Sequence, residues 1–239
     1  MDNVWLQNLR LVAESAKAKG YDAAIALQSC AFGAKDGQST KKHRREIKTK
    51  ADVGFQVYSS LAYGMKNITY YTYWQHWIEN DEGMHYTAMI NYPNEKGGDP
   101  VKTNAYYAVK DVNMEIKKFD HVYMNFDWEG TMAVIPEGET ASTMVSHVGD
   151  YTNSRIDSAT STEEAIIGCM KSIDGNDGYM VVNVTDPALE LTNTVTIKFK
   201  DATKVLAYIH GNEQEIALND GMCTVELAAG EGVFIIPIQ

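Results

Sequence analysis

Two short and almost wholly apolar runs, each flanked by helical patterns, constrain the fold of this chain most strongly. They are AAIALQSC at 23–30 and ITYYTYW at 68–74. Runs of this length are typical of parallel strands buried on both faces, although the pattern of the first run also fits a turn of helix. Because helical patterns precede and follow these runs, we predict parallel βα units in the first half of the chain.

The first helical pattern has signals at both of its ends. Asp2 or Asn3 can cap its start, and Gly20 can end it. Its apolar residues recur at helical spacing. They are Trp5, Leu9, Val12, Ala13 and Ala16.

Two further helices are predicted around the second apolar run. Thr49 and Asp52 have the spacing of a capping box, with Asp in place of the usual Glu, and Gly64 ends the helix that they begin. Thr103 or Asn104 opens a third helix, which has an apolar side. The predicted order is therefore helix, strand, helix, strand, helix.

From about residue 122 the sequence changes to short β-rich segments separated by Gly, Asn and Asp. This sequence pattern predicts antiparallel sheets, which we interpret as a β-sandwich of about eight strands. NDG at 176–178 and at 219–221 suits tight hairpins, since these residues tolerate positive φ. The clearest strands are at 164–173, 178–185, 193–200, 204–211, 222–228 and 232–239.

The net charge narrows the range of partners. At −11 with a pI near 5.0, the chain repels nucleic acid and anionic membrane surfaces, so a neutral or cationic partner fits better. No apolar run reaches the roughly 18–20 residues that a bilayer requires, and the start has no signal-peptide core. We expect a soluble chain, either cytoplasmic in a bacterial type of cell or secreted by a signal upstream of this sequence.

The cysteines give no framework for disulfides or zinc. Cys30, Cys169 and Cys223 lie far apart, without a CxxC pair, and we interpret them as buried thiols. The histidines show no HExxH or paired spacing, so no metal site is predicted. Phosphate-binding glycine motifs are absent from the sequence as well, so no nucleotide is expected.

Three segments resemble parts of one enzyme family. DVGFQVYSSLAYGMKNITYYTYW (52–74) resembles the penultimate helix and final strand of barrel glycoside hydrolases related to the family 42 β-galactosidases, where a helix ending in LAYG or LAHG leads into an aromatic-rich last strand. NAYYAVKDVNMEIKKF (104–119) is similar to their barrel-closing helix, and AAGEGVFIIPI (228–238) to their terminal β-domain. The resemblance implies an α/β plus all-β chain, with a partial (β/α)8 barrel at 1–121 and an antiparallel β-sandwich domain at 122–239.

This resemblance implies a glycoside hydrolase of the β-galactosidase or β-glucosidase type, or a fragment of one, without a cofactor. In a (β/α)8 barrel the loops after the strands build the active site. Aromatic rings stack on the apolar faces of sugars and polar groups bind the hydroxyls. The candidate sugar-binding residues are Gln28, Tyr73, Trp74, Gln75, His76 and Trp77. Tyr70 and Tyr71, inside the strand, are better explained as barrel core and helix interface.

Glycoside hydrolysis also needs two carboxyl groups. In the family, the nucleophile Glu usually follows the seventh strand, but the matching run here ends in Gln28 and Ser29. Glu79, Asp81 and Glu82 follow the last strand and are the candidate catalytic carboxylates. Each of them taken alone is better explained as a solvated acid on a mobile loop. A non-catalytic carbohydrate-binding or scaffold fragment is therefore the alternative function.

Two other segments of the sequence carry a known motif or a cluster of charge. Ser39-Thr40-Lys41-Lys42 matches the SxxK motif of serine β-lactamases and related esterases, but Ser39 lies in a polar stretch, and GxSxG and SDN are absent. A serine hydrolase acting through Ser39 is thus a lower alternative. The basic cluster 41–45 is interpreted as a solvated loop, in which one Arg could bind a substrate hydroxyl.

Two strands of an eight-stranded barrel would leave a sheet edge and an apolar face exposed. The chain is therefore expected either to be the tail of a longer enzyme or to form homo-oligomers that cover this face.

Overall fold

The computed structural model describes residues 4–29, 31–34, 47, 49–75, 84–92 and 98–239. The first half contains helices and short strands: α1 (Trp5–Lys19), β1 (Ala23–Gln28), β2 (Ala31–Ala34), α2 (Lys50–Ala62), β3 (Met65–Tyr71), β4 (Met84–Thr87), β5 (Ile90–Asn91), β6 (Val101–Lys102), α3 (Asn104–Ile116) and α4 (Asp120–Tyr123). The second half contains a short 3₁₀ helix (Pro187–Leu189) and nine strands: β7 (Phe126–Val134), β8 (Ile156–Ser161), β9 (Ala165–Ser172), β10 (Asp177–Asn183), β11 (Asn193–Phe199), β12 (Lys204–Ile209), β13 (Asn212–Ala217), β14 (Met222–Leu227) and β15 (Gly232–Ile238).

The two apolar runs form neighbouring parallel strands. β1 pairs with β3, and Gln28 lies opposite Tyr71 at the carboxyl end of the pair. α2 lies in the connection between them, and the five predicted elements occur in the predicted order, as α1, β1, α2, β3 and α3. The short strands β2, β4, β5 and β6 and the short helix α4 were not predicted. In the part of the chain that the structure describes, this sheet has two strands and no barrel is closed.

Burial of the pair on both faces was predicted, and this is wrong for the described chain. Leu27 is fully buried, whereas Ala26 and Gln28 beside it are exposed. Thr69 and Tyr71 of β3 are exposed as well. Side chains alternate between the two faces of a strand. One face therefore contacts the helices, and the face that would line a barrel interior is open.

The helix ends follow the predicted signals in part. The capping box of α2 is confirmed, because the Asp52 N–H donates to Thr49 Oγ1 at 3.1 Å and the Thr49 N–H donates to Asp52 Oδ2 at 3.0 Å. Gly20 ends α1 in the left-handed region at φ 69°. The residue at the N-cap of α1 is Val4, whose side chain makes no capping hydrogen bond. Asp2 and Asn3 lie outside the described residues.

Residues 126–238 form two antiparallel sheets. The larger has the order β13-β12-β15-β10-β9-β7, and the smaller has the order β14-β11-β8. All six predicted strands are present, and β7, β8 and β13 are additional. β13 (NEQEIA) escaped prediction because it is an exposed edge strand without an apolar face. β7 was missed because a bulge between Trp128 and Gly130 interrupts its alternation.

The two NDG turns differ from the predicted hairpins. Asp220 and Gly221 do have positive φ, of 51° and 73°. However, they connect β13 to β14, which belong to different sheets. In the other case Asp177 and Gly178 already lie within β10, and Gly175 takes the positive φ of the hairpin turn.

Two apolar cores lie on opposite faces of the larger sheet. One core fills the space between the two sheets and contains Ile167, Val181 and Ile197. The other joins the same sheet to the helices and the parallel pair, and contains Ile166, Met180 and Val57. The predicted domain boundary at 121/122 falls within α4, between parts that share this second core, and it stays a prediction.

α2 approaches the larger sheet closely enough to require glycine. A Cβ on Gly168 of β9 would lie 2.1 Å from the Ala62 carbonyl oxygen at the end of α2. A Cβ on Gly54 of α2 would lie 2.5 Å from the Gly230 carbonyl oxygen. Both obstacles are backbone atoms, which cannot move aside as a side chain can. The helix therefore rests directly on the sheet.

Among the described residues, no helix is long and apolar enough to cross a bilayer.

Gly168→Ala is expected to lower the free energy of unfolding by about 3 kcal/mol or more, because its Cβ would force α2 away from the sheet. Gly175→Ala is the matched control, since a Cβ there meets no atom within 4 Å. The positive φ of Gly175 should still cost about 1–2 kcal/mol. Urea unfolding measures both values, and an equal or smaller loss at Gly168 would contradict the close approach.

Tyr63→Phe is expected to raise the free energy of unfolding by about 1 kcal/mol. The Tyr63 hydroxyl is buried and has no hydrogen-bond partner among the described residues, so its removal relieves a desolvated polar group. Tyr123→Phe is the control, because the Tyr123 hydroxyl donates to the Leu61 carbonyl at 2.8 Å. Loss of this hydrogen bond should lower the free energy of unfolding by about 1 kcal/mol. Urea unfolding should give opposite signs, and a shared sign would refute this account.

Candidate functional site

The carboxyl ends of β1 and β3 meet at one edge of the parallel pair. The Ser29 N–H donates to the Tyr71 carbonyl at 2.8 Å, which extends the pairing by one residue beyond β1. The buried Ser29 hydroxyl lies 3.4 Å from the Thr72 carbonyl oxygen, to which it donates. The peptide bond between Tyr71 and Thr72 is cis. The two hydrogen bonds of Ser29 hold the ends of β1 and β3 together at the place where the site was predicted.

The segment after β3 is held by residues 88–92. The Ile90 N–H donates to the Tyr73 carbonyl at 2.8 Å, and the Gln75 N–H donates to the Ile90 carbonyl at 2.9 Å. The side chain of Gln75 accepts from the Tyr92 N–H at 3.0 Å. These bonds order the chain beyond the strand and bring Tyr92 next to Trp74.

Four exposed aromatic side chains cluster at this edge, and we call them the aromatic platform: Tyr71, Tyr73, Trp74 and Tyr92. The rings of Trp74 and Tyr92 are stacked, with centroids 5.8 Å apart and planes inclined by 16°. Tyr73 meets Trp74 edge to face at 5.3 Å. Each is between 39% and 56% exposed, which is unusual for side chains of this size. The platform therefore offers apolar ring surface to a ligand.

The structure brings together four of the predicted sugar-binding residues. Gln28, Tyr73, Trp74 and Gln75 all lie at the carboxyl edge of the parallel pair. Tyr92 was missed because it lies between the run 68–74 and the third predicted helix, where no element was predicted, and tertiary folding brings it to Trp74. His76 and Trp77, together with the candidate carboxylates Glu79, Asp81 and Glu82, lie outside the described residues. Ser39, Cys30 and the basic cluster 41–45 also lie outside them.

The two tyrosines inside β3 face opposite sides. Tyr70 is half-buried, and its hydroxyl donates to Asn113 Oδ1 of α3 at 2.6 Å, as expected of a helix interface. Burial raises the pKa of Tyr70 to about 12. Tyr71 was predicted to fill the core, but it is 56% exposed and joins the platform. The alternation of side chains along a strand explains this difference.

Asp52 and the two described cysteines lie away from the platform and have structural roles. Asp52 accepts from both the N–H and the hydroxyl of Thr49, so its carboxylate belongs to the cap of α2. Cys169 and Cys223 are free and buried, as predicted. Burial raises the pKa of Cys223 to about 11, so this thiol stays protonated at neutral pH. Among the described residues, no group of three or more His, Cys, Asp or Glu could hold a metal ion.

A pocket at the opposite, amino-terminal edge of the parallel pair is less suited to sugar. It has a volume of about 280 Å³ and is lined by α1, the start of β1 and Trp128 of β7. The Trp128 ring is already engaged, since Lys17 Nζ lies 5.5 Å and the Tyr63 ring 6.1 Å from its centroid. Trp128 is also only partly exposed, whereas Trp74 is 45% exposed, so the platform offers more stacking surface than this pocket.

No protein-family model matches this chain, and no curated protein matches it either. The resemblance to the family 42 β-galactosidases thus stays a prediction, and the aromatic platform is the observation on which a function can be proposed.

Proposed function

We propose that this chain is a glycoside hydrolase of the β-galactosidase or β-glucosidase type, or a fragment of one, that binds carbohydrate on the aromatic platform. One observation carries the proposal: a parallel β-strand pair presents exposed, stacked aromatic rings at its carboxyl edge. That edge is where barrel enzymes place their substrates. Under this proposal β1 and β3 are the last two strands of a (β/α)8 barrel, and residues 126–238 form its terminal β-sandwich.

The platform has the chemistry that a sugar ring requires. The C–H face of a pyranose can lie on the open ring surface of Trp74 or Tyr92 and exclude water from both. Because these two rings already stack on each other, little side-chain freedom is lost when a ligand binds. Gln28 lies opposite Tyr71 and can exchange hydrogen bonds with the sugar hydroxyls.

The proposed chemistry needs carboxyl groups beside the platform. Glu79, Asp81 and Glu82 begin four residues after Gln75 and are the candidates. A pair about 5–5.5 Å apart would retain the anomeric configuration, and a pair roughly 6.5–9.5 Å apart would invert it. One carboxylic acid would protonate the leaving oxygen, while the other would act as nucleophile or activate a water.

A non-catalytic carbohydrate-binding or scaffold role is the second candidate. It is favoured by the platform itself, which is complete in the described residues and needs no carboxylate to bind a sugar by stacking. Hydrolysis of a glycoside separates the two candidates.

The open face of the parallel pair implies a further contact. β1 and β3 pair with each other, and their exposed face carries Ala24, Ala26, Thr69 and Tyr71. In a barrel, such a face lies inside. We therefore include in the proposal that additional βα units cover it, supplied by a longer chain or by a second copy. Nucleic acid and membrane are not proposed as partners, because the net charge is −11.

Trp74→Ala and Tyr92→Ala are each expected to weaken saccharide binding about tenfold, which corresponds to about 1.4 kcal/mol of lost stacking and burial. Titration calorimetry with lactose and cellobiose measures the change. Tyr107→Ala is the matched control, since Tyr107 is an equally exposed aromatic residue on α3. Unchanged affinity in both platform variants would refute the site.

The proposed catalytic role of the carboxylates is tested by three substitutions: Glu79→Gln, Asp81→Asn and Glu82→Gln. At least one of them should lower the hydrolysis of aryl β-galactosides or aryl β-glucosides by about 100-fold or more, as expected for a general acid or base. The exposed Glu137→Gln serves as control. Full activity in all three variants would refute these carboxylates, and saccharide binding without any hydrolysis would favour the non-catalytic candidate.

A further inference from the structure

The side chain of Gln56 on α2 makes two hydrogen bonds with the backbone of a single residue, Gln28. The Gln28 N–H donates to Gln56 Oε1 at 3.1 Å, and Gln56 Nε2 donates to the Gln28 carbonyl at 3.0 Å. Both polar groups of the last residue in β1 are therefore bound by one amide side chain.

These two bonds lie on the edge of β1 that faces away from β3. Successive residues of a strand direct their N–H and C=O groups to opposite edges, and the next N–H, that of Ser29, donates to Tyr71 of β3. The backbone N–H and C=O of Gln28 therefore point toward the edge of β1 at which another barrel strand would pair. An amide side chain carries one acceptor and a donor, as a backbone residue does, so Gln56 can take the place of that strand.

Gln56 is itself fixed by the first turn of α2. Its Nε2 also lies 3.3 Å from the Asp52 carbonyl oxygen, to which it donates. Asp52 is held in turn by the capping box with Thr49. The amide thus extends from an anchored helix start, and its position is not that of a loose surface side chain.

We propose that Gln56 is a positioning residue that binds the backbone of Gln28 on the edge of β1 away from β3 and thereby holds the carboxyl edge in register for carbohydrate. This role rests on the proposed function. The link to the aromatic platform is short, because Ser29, the neighbour of Gln28, bonds to the carbonyl of Tyr71. A strand added along this edge of β1 would pair at Ala24 and Ala26 and end before Gln28.

Gln56→Met tests the proposal, because methionine keeps the length and helix propensity of glutamine but lacks the amide. The Gln28 amide proton is expected to exchange about tenfold faster or more in NMR, and lactose affinity is expected to fall about tenfold. Gln7→Met, the same change on α1, should alter neither quantity. Far-UV circular dichroism verifies that each variant is folded.

Gln56→Glu adds a pH readout that a merely structural role would not produce. The ionised carboxylate accepts from the Gln28 N–H but repels its carbonyl oxygen, whereas the protonated acid can again donate to that oxygen. Lactose affinity and Gln28 protection relative to wild type should therefore recover as the pH falls below about 4.3, the usual pKa of Glu. The Gln56→Met variant should show no such recovery.

The outcomes separate this proposal from the proposed function. Unchanged exchange at Gln28 in Gln56→Met would overturn the binding of the Gln28 backbone by Gln56. Faster exchange with unchanged lactose affinity would overturn the positioning role, even where Trp74→Ala abolishes binding. If the wild-type chain binds neither lactose nor cellobiose, the proposed function and the positioning role both fail, while faster exchange in Gln56→Met would still support the binding of the Gln28 backbone by Gln56.

Discussion

The packing of α2 between two sheets is the constraint on which the rest of the structure depends. One side of this helix rests on the larger antiparallel sheet, where Gly168 and Gly54 allow backbone to approach backbone. Its other neighbours are α3 and the parallel pair. Because a single helix contributes to both contacts, the distance between the parallel pair and the sheets is fixed by steric exclusion, which varies little with the surrounding side chains.

The same helix also defines the edge at which the candidate site lies. Its first turn is anchored by Thr49 and Asp52, and its second turn carries Gln56 to the end of β1. From that point, hydrogen bonds lead through Ser29 to Tyr71 and the aromatic platform. The exposed aromatic side chains of the platform are therefore carried by a backbone that is held by hydrogen bonds.

The candidate site could be predicted from the sequence only in part. Tyr73 and Trp74 stand at the end of the apolar run 68–74, and this position predicts that they lie at the edge of the sheet. Tyr92 gave no such signal, since its place beside Trp74 depends on hydrogen bonds of Ile90 and Gln75 across the fold. Gln56 gave none either, because a glutamine on a helix shows nothing of the strand residue that it will bind.

By itself, the sequence determined the order of α1, β1, α2, β3 and α3, the capping box and glycine stop of α2, and six of the nine strands between 126 and 238. These features depend on residues near one another in the chain, through local hydrogen bonds and the spacing of apolar side chains. Tertiary structure decided which strands share a sheet, which face of the parallel pair is open, and why the turn at Asp220 crosses between sheets. Those outcomes depend on burial and hydrogen bonds between distant segments, and no local pattern encodes them.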